Sequence, residues 1–162
     1  MLLGKDIKDI VNALAKKYNT RNPFEIADHL GIMVYNADIG ELKGFYTYKR
    51  RKRIIFINCS LENTDTYKLR DMVAAHELGH AILTPTSPCY FYSDYTFFKK
   101  SKPEIEANTF AAELLITNED ILEHQSYTTE QLARVTGYDK KLIELRMKNY
   151  NTDELGHNVY EM

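Results

Sequence analysis

The sequence predicts an α+β fold, mostly helical, with a small sheet of about three strands packed on one long central helix. Apolar residues recur every three or four positions in several long segments, which is the spacing of one helix face. Aromatic and β-branched residues cluster in an early stretch, where they favour pleated strands. The 162 residues, of which 44 % are hydrophobic, suit one compact domain with a substantial core.

The first part of the chain indicates two helices followed by the strands. Helical spacing of apolar residues predicts a helix over 4–18. The segment 23–31 begins with a proline and ends with a glycine, as short helices commonly do. Residues 32–36 form a strand candidate, and 44–58 indicate two strands around a basic turn.

The middle of the chain indicates two strong helices separated by a long loop. The first helix is predicted from about 64 to 83, where Thr84 and Pro85 end it. The loop spans 84–102 and is rich in aromatic residues. The second helix follows over about 103–116, because small and apolar residues again recur at helical spacing.

The C-terminal part indicates two more helices, over 128–137 and 138–150. We therefore expect a single domain over 1–150, with 128–150 as its C-terminal helical pair, and a loose polar tail over 151–162. The pair also resembles a helix-turn-helix. Its second helix has few short polar residues for reading base edges, so two amphipathic helices that cover the core are the favoured interpretation.

Charge and cysteine content exclude several classes of protein. The 21 Lys and Arg nearly balance the 23 Asp and Glu, which argues against a chain that coats nucleic acid or an anionic membrane. Charged residues come too early for a signal peptide, and no run approaches the roughly 18 apolar residues of a membrane helix. Cys59 and Cys89 are too few for a disulfide framework. We expect two reduced thiols and a cytoplasmic location.

The stretch HELGH (76–80) is the strongest functional signal. His76 and His80 are four residues apart, so they leave one helix face and can reach one Zn²⁺ at roughly 2.0–2.1 Å. Glu77 is rotated about 100° from His76 and flanks the metal, where it can act as general base. The flanking residues are apolar, which predicts a buried helix whose polar side chains need partners. A metal satisfies all three, whereas a merely wet helix face would not explain the apolar surroundings.

A catalytic zinc needs a third protein ligand and an open position. The remaining histidines, which do not lie in segments typical of metal scaffolds, are His29, His124 and His157. Glu104 and Asn108 share one face of the second strong helix, and small residues line that face. This favours Glu104 as ligand, with the Asn108 amide oxygen accepting the ring N–H of a ligand histidine.

Alternatives to this ligand choice follow from the same residues. Ser101 and Glu104 match a capping box, in which the glutamate would only cap its helix. Glu106 is then the alternative ligand, whereas Cys89 is interpreted as an ordinary thiol. Gly79 indicates either a close approach of the second helix beside the histidines or a tolerated helical glycine.

The pair HELGHAIL (76–83) and EIEANTFAAELLI (104–116), in this order, resembles the ImmA/IrrE family of metallopeptidases. PFEIADHLGI and GFYTYKRRKRIIFIN also resemble that family, so the resemblance spans about 20–118. It implies a zincin-like α+β fold, a zinc ion and intracellular endopeptidase activity. One departure is Thr117, where the family motif often ends in proline.

Carried over residue by residue, the resemblance puts the metal ligands on His76, His80 and Glu104 and the general base on Glu77. It implies that the substrate is a helix-turn-helix repressor of a phage, a mobile element or a stress regulon. The alternative is a DNA-binding or zinc-sensing regulatory protein without proteolytic activity. We expect no direct contact with nucleic acid and none with a membrane.

The strand 53–58 leads into the HELGH helix, so we also predict that it is an exposed edge on which an extended peptide pairs. The aromatic loop would close the other side of that cleft, or simply pack on the core. The residues considered for it are Tyr90, Phe91, Tyr92 and Tyr95. The basic turn KRRKR is interpreted as a solvated hairpin tip, with phosphate contact as the alternative.

Overall fold

The computed structural model describes residues 4–63, 67–86, 90–92 and 101–157 and confirms the zincin-like α+β fold. The helices are α1 (Gly4–Tyr18), α2 (Pro23–His29), α3 (Tyr67–Leu83), α4 (Lys102–Leu115), α5 (Asn118–Glu123), α6 (Thr129–Thr136) and α7 (Lys140–His157). The strands are β1 (Met33–Ala37), β2 (Gly44–Lys49), β3 (Lys52–Asn58) and β4 (Tyr90–Tyr92). Of these, α5 and the short β4 were not foreseen from the sequence.

The four strands form one mixed sheet in the order β1-β3-β2-β4. β2 and β3 form a hairpin, β1 lies parallel to β3, and β4 lies antiparallel to the first half of β2. The predicted exposed edge at 53–58 is therefore wrong, because β3 is paired on both sides. Its closeness in sequence to α3 said nothing about sheet order. The edge on the β2 side is formed by β4.

One part of the core lies between the sheet and α3. Tyr46, Ile55 and Ile57 alternate along β2 and β3, point to the same face and are buried against α3. The Tyr46 hydroxyl donates a hydrogen bond to the Pro85 carbonyl at 2.5 Å, which ties β2 to the end of that helix. Burial accordingly raises the pKa of Tyr46 to about 12. The sheet therefore fixes both the position and the end of α3.

α4 packs along the other side of α3, and the two helix backbones come close together at Gly79. A Cβ atom at Gly79 would lie 3.1 Å from the Ala107 Cα and 3.1 Å from the Phe110 Cβ. The predicted close approach is thus confirmed, and the glycine is not merely tolerated. Because only a hydrogen atom separates the two backbones there, side chains one turn away on the two helices can meet.

Both ends of the chain hold the C-terminal end of α4. The Arg21 guanidinium, which follows α1, donates to the Glu113 carbonyl at 3.0 Å. Arg146 of α7 is buried, donates to the Ile116 carbonyl at 2.9 Å and lies 3.5 Å from the Glu113 carboxylate. These donors satisfy carbonyls that a helix end leaves without intrahelical partners.

The C-terminal helices cover the core, as the sequence favoured over a helix-turn-helix. Leu132 of α6 and Leu142 and Ile143 of α7 are buried in the main core. α7 continues to His157, past the predicted end at 150, while the division into a domain and a tail stays a prediction. Within the described ranges, no helix is long and apolar enough to cross a membrane.

Several sequence predictions concern residues outside the described part of the chain. Cys59 is an exposed free thiol, as expected, whereas Cys89 lies outside the described residues. The structure describes the backbone of residues 90–92 as strand β4. It does not describe the side chains of Tyr90, Phe91 and Tyr92, or any part of Tyr95. The idea that these aromatics close a cleft therefore stays a prediction.

Candidate metal centre

Two histidines on α3 converge at the interface with α4. His76 and His80 are almost completely buried, and their Nε2 atoms lie 3.1 Å apart. Their rings are nearly perpendicular, at 83° with centroids 4.8 Å apart. The spacing of four residues brings them to one helix face, as the sequence predicts, and their Nε2 atoms aim at a common point.

Glu104 completes the group from α4. Its carboxylate oxygens lie 3.4 Å from the His76 Nε2 and 3.5 Å from the His80 Nε2. A tetrahedral metal that binds its ligands at 2.0–2.1 Å holds them about 3.3 Å from one another. The two histidine nitrogens are thus about as far apart as two ligands of a zinc-like ion, and so is each nitrogen from the Glu104 oxygen nearest to it. In the described ranges this is the one group of three such side chains that could hold a metal ion.

The protonation states of the group also suit a cation. Burial lowers the pKa of His76, so its imidazole is neutral. Burial raises the pKa of Glu104, but the neighbouring His76 and His80 side chains outweigh burial and hold this pKa at about 2. Neutral imidazoles and an ionised carboxylate are the forms that bind divalent metals.

Asn108 orients one of the histidines. Its Oδ1 lies 2.8 Å from the His76 Nδ1, and the amide is buried one turn beyond Glu104 on the same helix. With Nε2 turned towards the other two side chains, the Nδ1–H donates to the amide oxygen. Such a partner fixes both the tautomer and the ring orientation of a metal-binding histidine. The sequence predicts this contact from the spacing of Glu104 and Asn108 and from the small side chain on their helix face.

The alternatives for the third position do not join the group. Ser101 is at the N-cap of α4, but its side chain makes no capping hydrogen bond. The Glu104 carboxylate is instead buried beside the two histidines. Glu106 is buried but lies about 200° around the helix from Glu104, outside the group.

The remaining histidines lie elsewhere. The ring of His29 is stacked on Tyr18, and His124 Nδ1 lies 2.8 Å from the Asp120 carbonyl oxygen. The side chain of His157 lies outside the described residues. Neither described histidine belongs to the group on α3 and α4.

Glu77 lies beside the group, completely buried where β2 crosses α3. A Cβ atom at Gly44 would lie 2.5 Å from the Val73 Cγ1 and 3.5 Å from the Glu77 Cγ. The backbone of β2 therefore rests on the turn of α3 that carries the glutamate. Sequence reasoning missed Gly44. The sequence does show a glycine at the start of a predicted strand, and such a glycine commonly marks a place where another part of the chain comes close to the strand backbone.

The fold and site define a class of protein, namely one with a buried His-His-Glu metal centre on two packed helices. Residues 27–148 match the peptidase family described as the IrrE N-terminal-like domain. The chain therefore belongs to the ImmA/IrrE family of metallopeptidases. A divalent metal is implied by that family, and the three buried side chains fit one.

Two relatives cover most of the chain. One is the "uncharacterized immunity region protein 2" of Bacillus phage phi105, 36 % identical over 151 residues, which are 89 % of this chain and 93 % of the relative. The other is the "metallopeptidase ImmA" of Bacillus subtilis (strain 168), 30 % identical over 136 residues, which are 80 % of this chain and 77 % of the relative. Their similarity extends over the site helices and most of the flanking segments.

Proposed function

We propose that this protein is a zinc-dependent endopeptidase, with His76, His80 and Glu104 as metal ligands and Glu77 as general base. The observation that carries this proposal is the cluster of His76, His80 and Glu104, whose buried nitrogens and carboxylate oxygens lie 3.1–3.5 Å from their neighbours, next to the buried carboxylate of Glu77. Two histidines and one carboxylate are a donor set typical of zinc in hydrolytic enzymes, and three protein ligands leave a position open.

A zinc ion bound there supplies Lewis-acid chemistry that activates water and polarises a peptide carbonyl. Glu77 takes the proton of the attacking water and passes it to the leaving amine. Asn108 holds His76 in one tautomer, and Gly44 lets β2 lie against α3 so that Glu77 stays beside the histidines. Burial of Glu77 keeps bulk water from competing for its proton transfer.

We propose a protein substrate, specifically a helix-turn-helix repressor of a phage, a mobile element or a stress regulon. The support is the similarity to a protein named for a phage immunity region and to a metallopeptidase. A repressor acts on DNA inside the cell, so the proposal includes a cytoplasmic location. The proposed substrate is supported by the names of the relatives, whereas the proposed hydrolysis of peptide bonds is supported by the arrangement of the site residues.

The test is incubation of the zinc-loaded protein with the repressor encoded next to its gene, with products identified by mass spectrometry. We expect cleavage at a defined bond, which a chelator abolishes and added zinc restores. Glu77→Gln should stop cleavage, while Glu106→Gln, a buried carboxylate of α4 outside the group, should not. A regulator that senses zinc without proteolysis would leave the repressor intact under all conditions.

A further inference from the structure

The face of the sheet that points away from α3 carries a row of aromatic rings, which we call the aromatic ridge: Tyr35, Phe56 and Phe45. They are paired across three adjacent strands. Ring centroids are 5.7 Å apart for Tyr35 and Phe56 and 4.7 Å apart for Phe56 and Phe45. Tyr35 is 49 % exposed and the other two are half-buried, so the ridge is accessible from outside.

A basic turn, residues 49–52, lies at the tip of the same β2–β3 hairpin. Its sequence is KRRK, and all four side chains are exposed. None of the four makes an ion pair with another residue in the described part of the chain. Arg53, by contrast, donates hydrogen bonds to the Leu30 and Ala81 carbonyls and belongs to the fold. Four uncompensated cations in one turn favour an acidic partner.

The backbone of this turn is unfavourable for the residues that occupy it. Lys49 pairs with Lys52, which leaves a two-residue connection, and Arg50 and Arg51 have φ of 52° and 62°. Such connections normally hold Asn-Gly, since a Cβ atom is disfavoured in the left-handed region. Backbone strain of this kind is typical of positions whose side chains serve a function. The geometry of the hairpin therefore does not explain why arginines occupy these two positions.

The packing of the rings indicates which kind of partner the ridge accepts. The Phe45 and Phe56 rings are stacked at 21°, so each uses one of its faces against the other. Single-stranded nucleic acid binds aromatic platforms by stacking bases on open ring faces. A protein segment instead packs apolar side chains against such a ridge while its carboxylates pair with arginines.

We propose that the aromatic ridge and the basic turn form a docking surface for an acidic, apolar segment of the protein substrate, away from the metal centre. This inference rests on the proposed function. Phe45 follows Gly44, which lies against Glu77, so the docking surface and the centre share strand β2 on opposite faces. Docking raises the concentration of the scissile segment at the centre and lowers KM without changing the chemical step.

The experiment compares the double variant Arg50→Asn/Arg51→Gly with Lys16→Gln/Lys17→Gln, which removes the same charge from exposed positions of α1. We expect KM for the adjacent repressor to rise at least tenfold in the first variant only, with kcat unchanged. A short peptide that spans the cut site should be cleaved equally by both. Higher salt should reduce the difference between them.

A second pair of variants tests the ridge. Tyr35→Ala should raise KM for the repressor, whereas Tyr48→Ala, an exposed tyrosine on the opposite face of the hairpin, should not. Titration calorimetry with the Glu77→Gln protein measures docking to the repressor without cleavage, so loss of the proposed activity does not obscure it. We expect a dissociation constant at least tenfold weaker when the arginines are replaced.

Four results would overturn this inference. The first is an unchanged affinity and KM in the turn variants, and the second is no binding of the repressor by the Glu77→Gln protein. Another is an equal loss of peptide cleavage, which would mean that the turn acts on the centre itself. The last is loss of binding to single-stranded DNA or RNA with unchanged repressor cleavage, which would assign the surface to nucleic acid.

Discussion

Replacing Gly79 by alanine should separate helix propensity from helix packing at the metal centre. In an isolated helix, alanine is favoured over glycine by about 1 kcal/mol. Here the added Cβ would lie 3.1 Å from the Ala107 Cα and 3.2 Å from the Ala107 carbonyl oxygen. Backbone atoms inside a buried helix cannot rotate away, so α4 must shift by a few tenths of an ångström.

Overpacking of a core typically costs about 1–3 kcal/mol, and contact with backbone favours the upper end. Subtracting the propensity gain leaves a net loss of about 2 kcal/mol in the free energy of unfolding. For a chain of this size that lowers Tm by roughly 4–8 °C. Zinc affinity should fall roughly tenfold or more, because metal–ligand distances tolerate only about 0.2 Å and α4 carries Glu104.

The assay is thermal unfolding of the metal-free protein, followed by zinc competition with a chromophoric chelator. Measuring the metal-free protein first keeps loss of packing separate from loss of the ion. A Tm that rises with unchanged zinc affinity would show that propensity dominates. The argument that the two helix backbones determine the geometry of the centre would then be refuted.

Further predictions concern the individual side chains of the centre. Glu104→Ala should abolish stoichiometric zinc by elemental analysis while Glu106→Ala retains it; the reverse result would contradict the ligand choice. Glu77→Gln should bind zinc normally yet cleave the repressor about 10²–10⁴-fold more slowly in single-turnover assays, and a normal rate would exclude it as general base. Asn108→Ala should weaken zinc binding about 10–100-fold by chelator competition, because His76 loses the partner that fixes its tautomer; unchanged affinity would contradict that role.

Most residues of the candidate site could be predicted from residue spacing within single helices. The positions of His76 and His80, and of Glu104 and Asn108, follow from a period of 3.6 residues that each helix sets by itself. Gly79 offered a close approach of the two helices as one of two interpretations, since a glycine inside a helix has a cost in stability. These inferences needed no knowledge of how distant segments pair, and the structure brings the same side chains together.

Sheet order could not be obtained in that way. β3 lies between β1 and β2 although it is the last strand before α3, and β4 joins the other side of β2 from a later part of the chain. Period-two patterns identify strands and faces but not neighbours. The role of Gly44 depends on β2 crossing α3, which is a long-range contact. The aromatic ridge likewise exists only because three separate strands align their rings.

Arg21, which holds the end of α4, makes the folding unit larger than the segment shared with the family. The shared segment covers residues 27–148. Arg21 and all of α1 lie before it, yet Ile7 and Val11 are buried in the main core and Arg21 donates to the Glu113 carbonyl. A fragment trimmed to the shared segment would expose the apolar side of α4 and leave that carbonyl without its donor. The N-terminal helix α1 is thus part of the peptidase domain, and its removal would destabilise α4, the helix that carries Glu104.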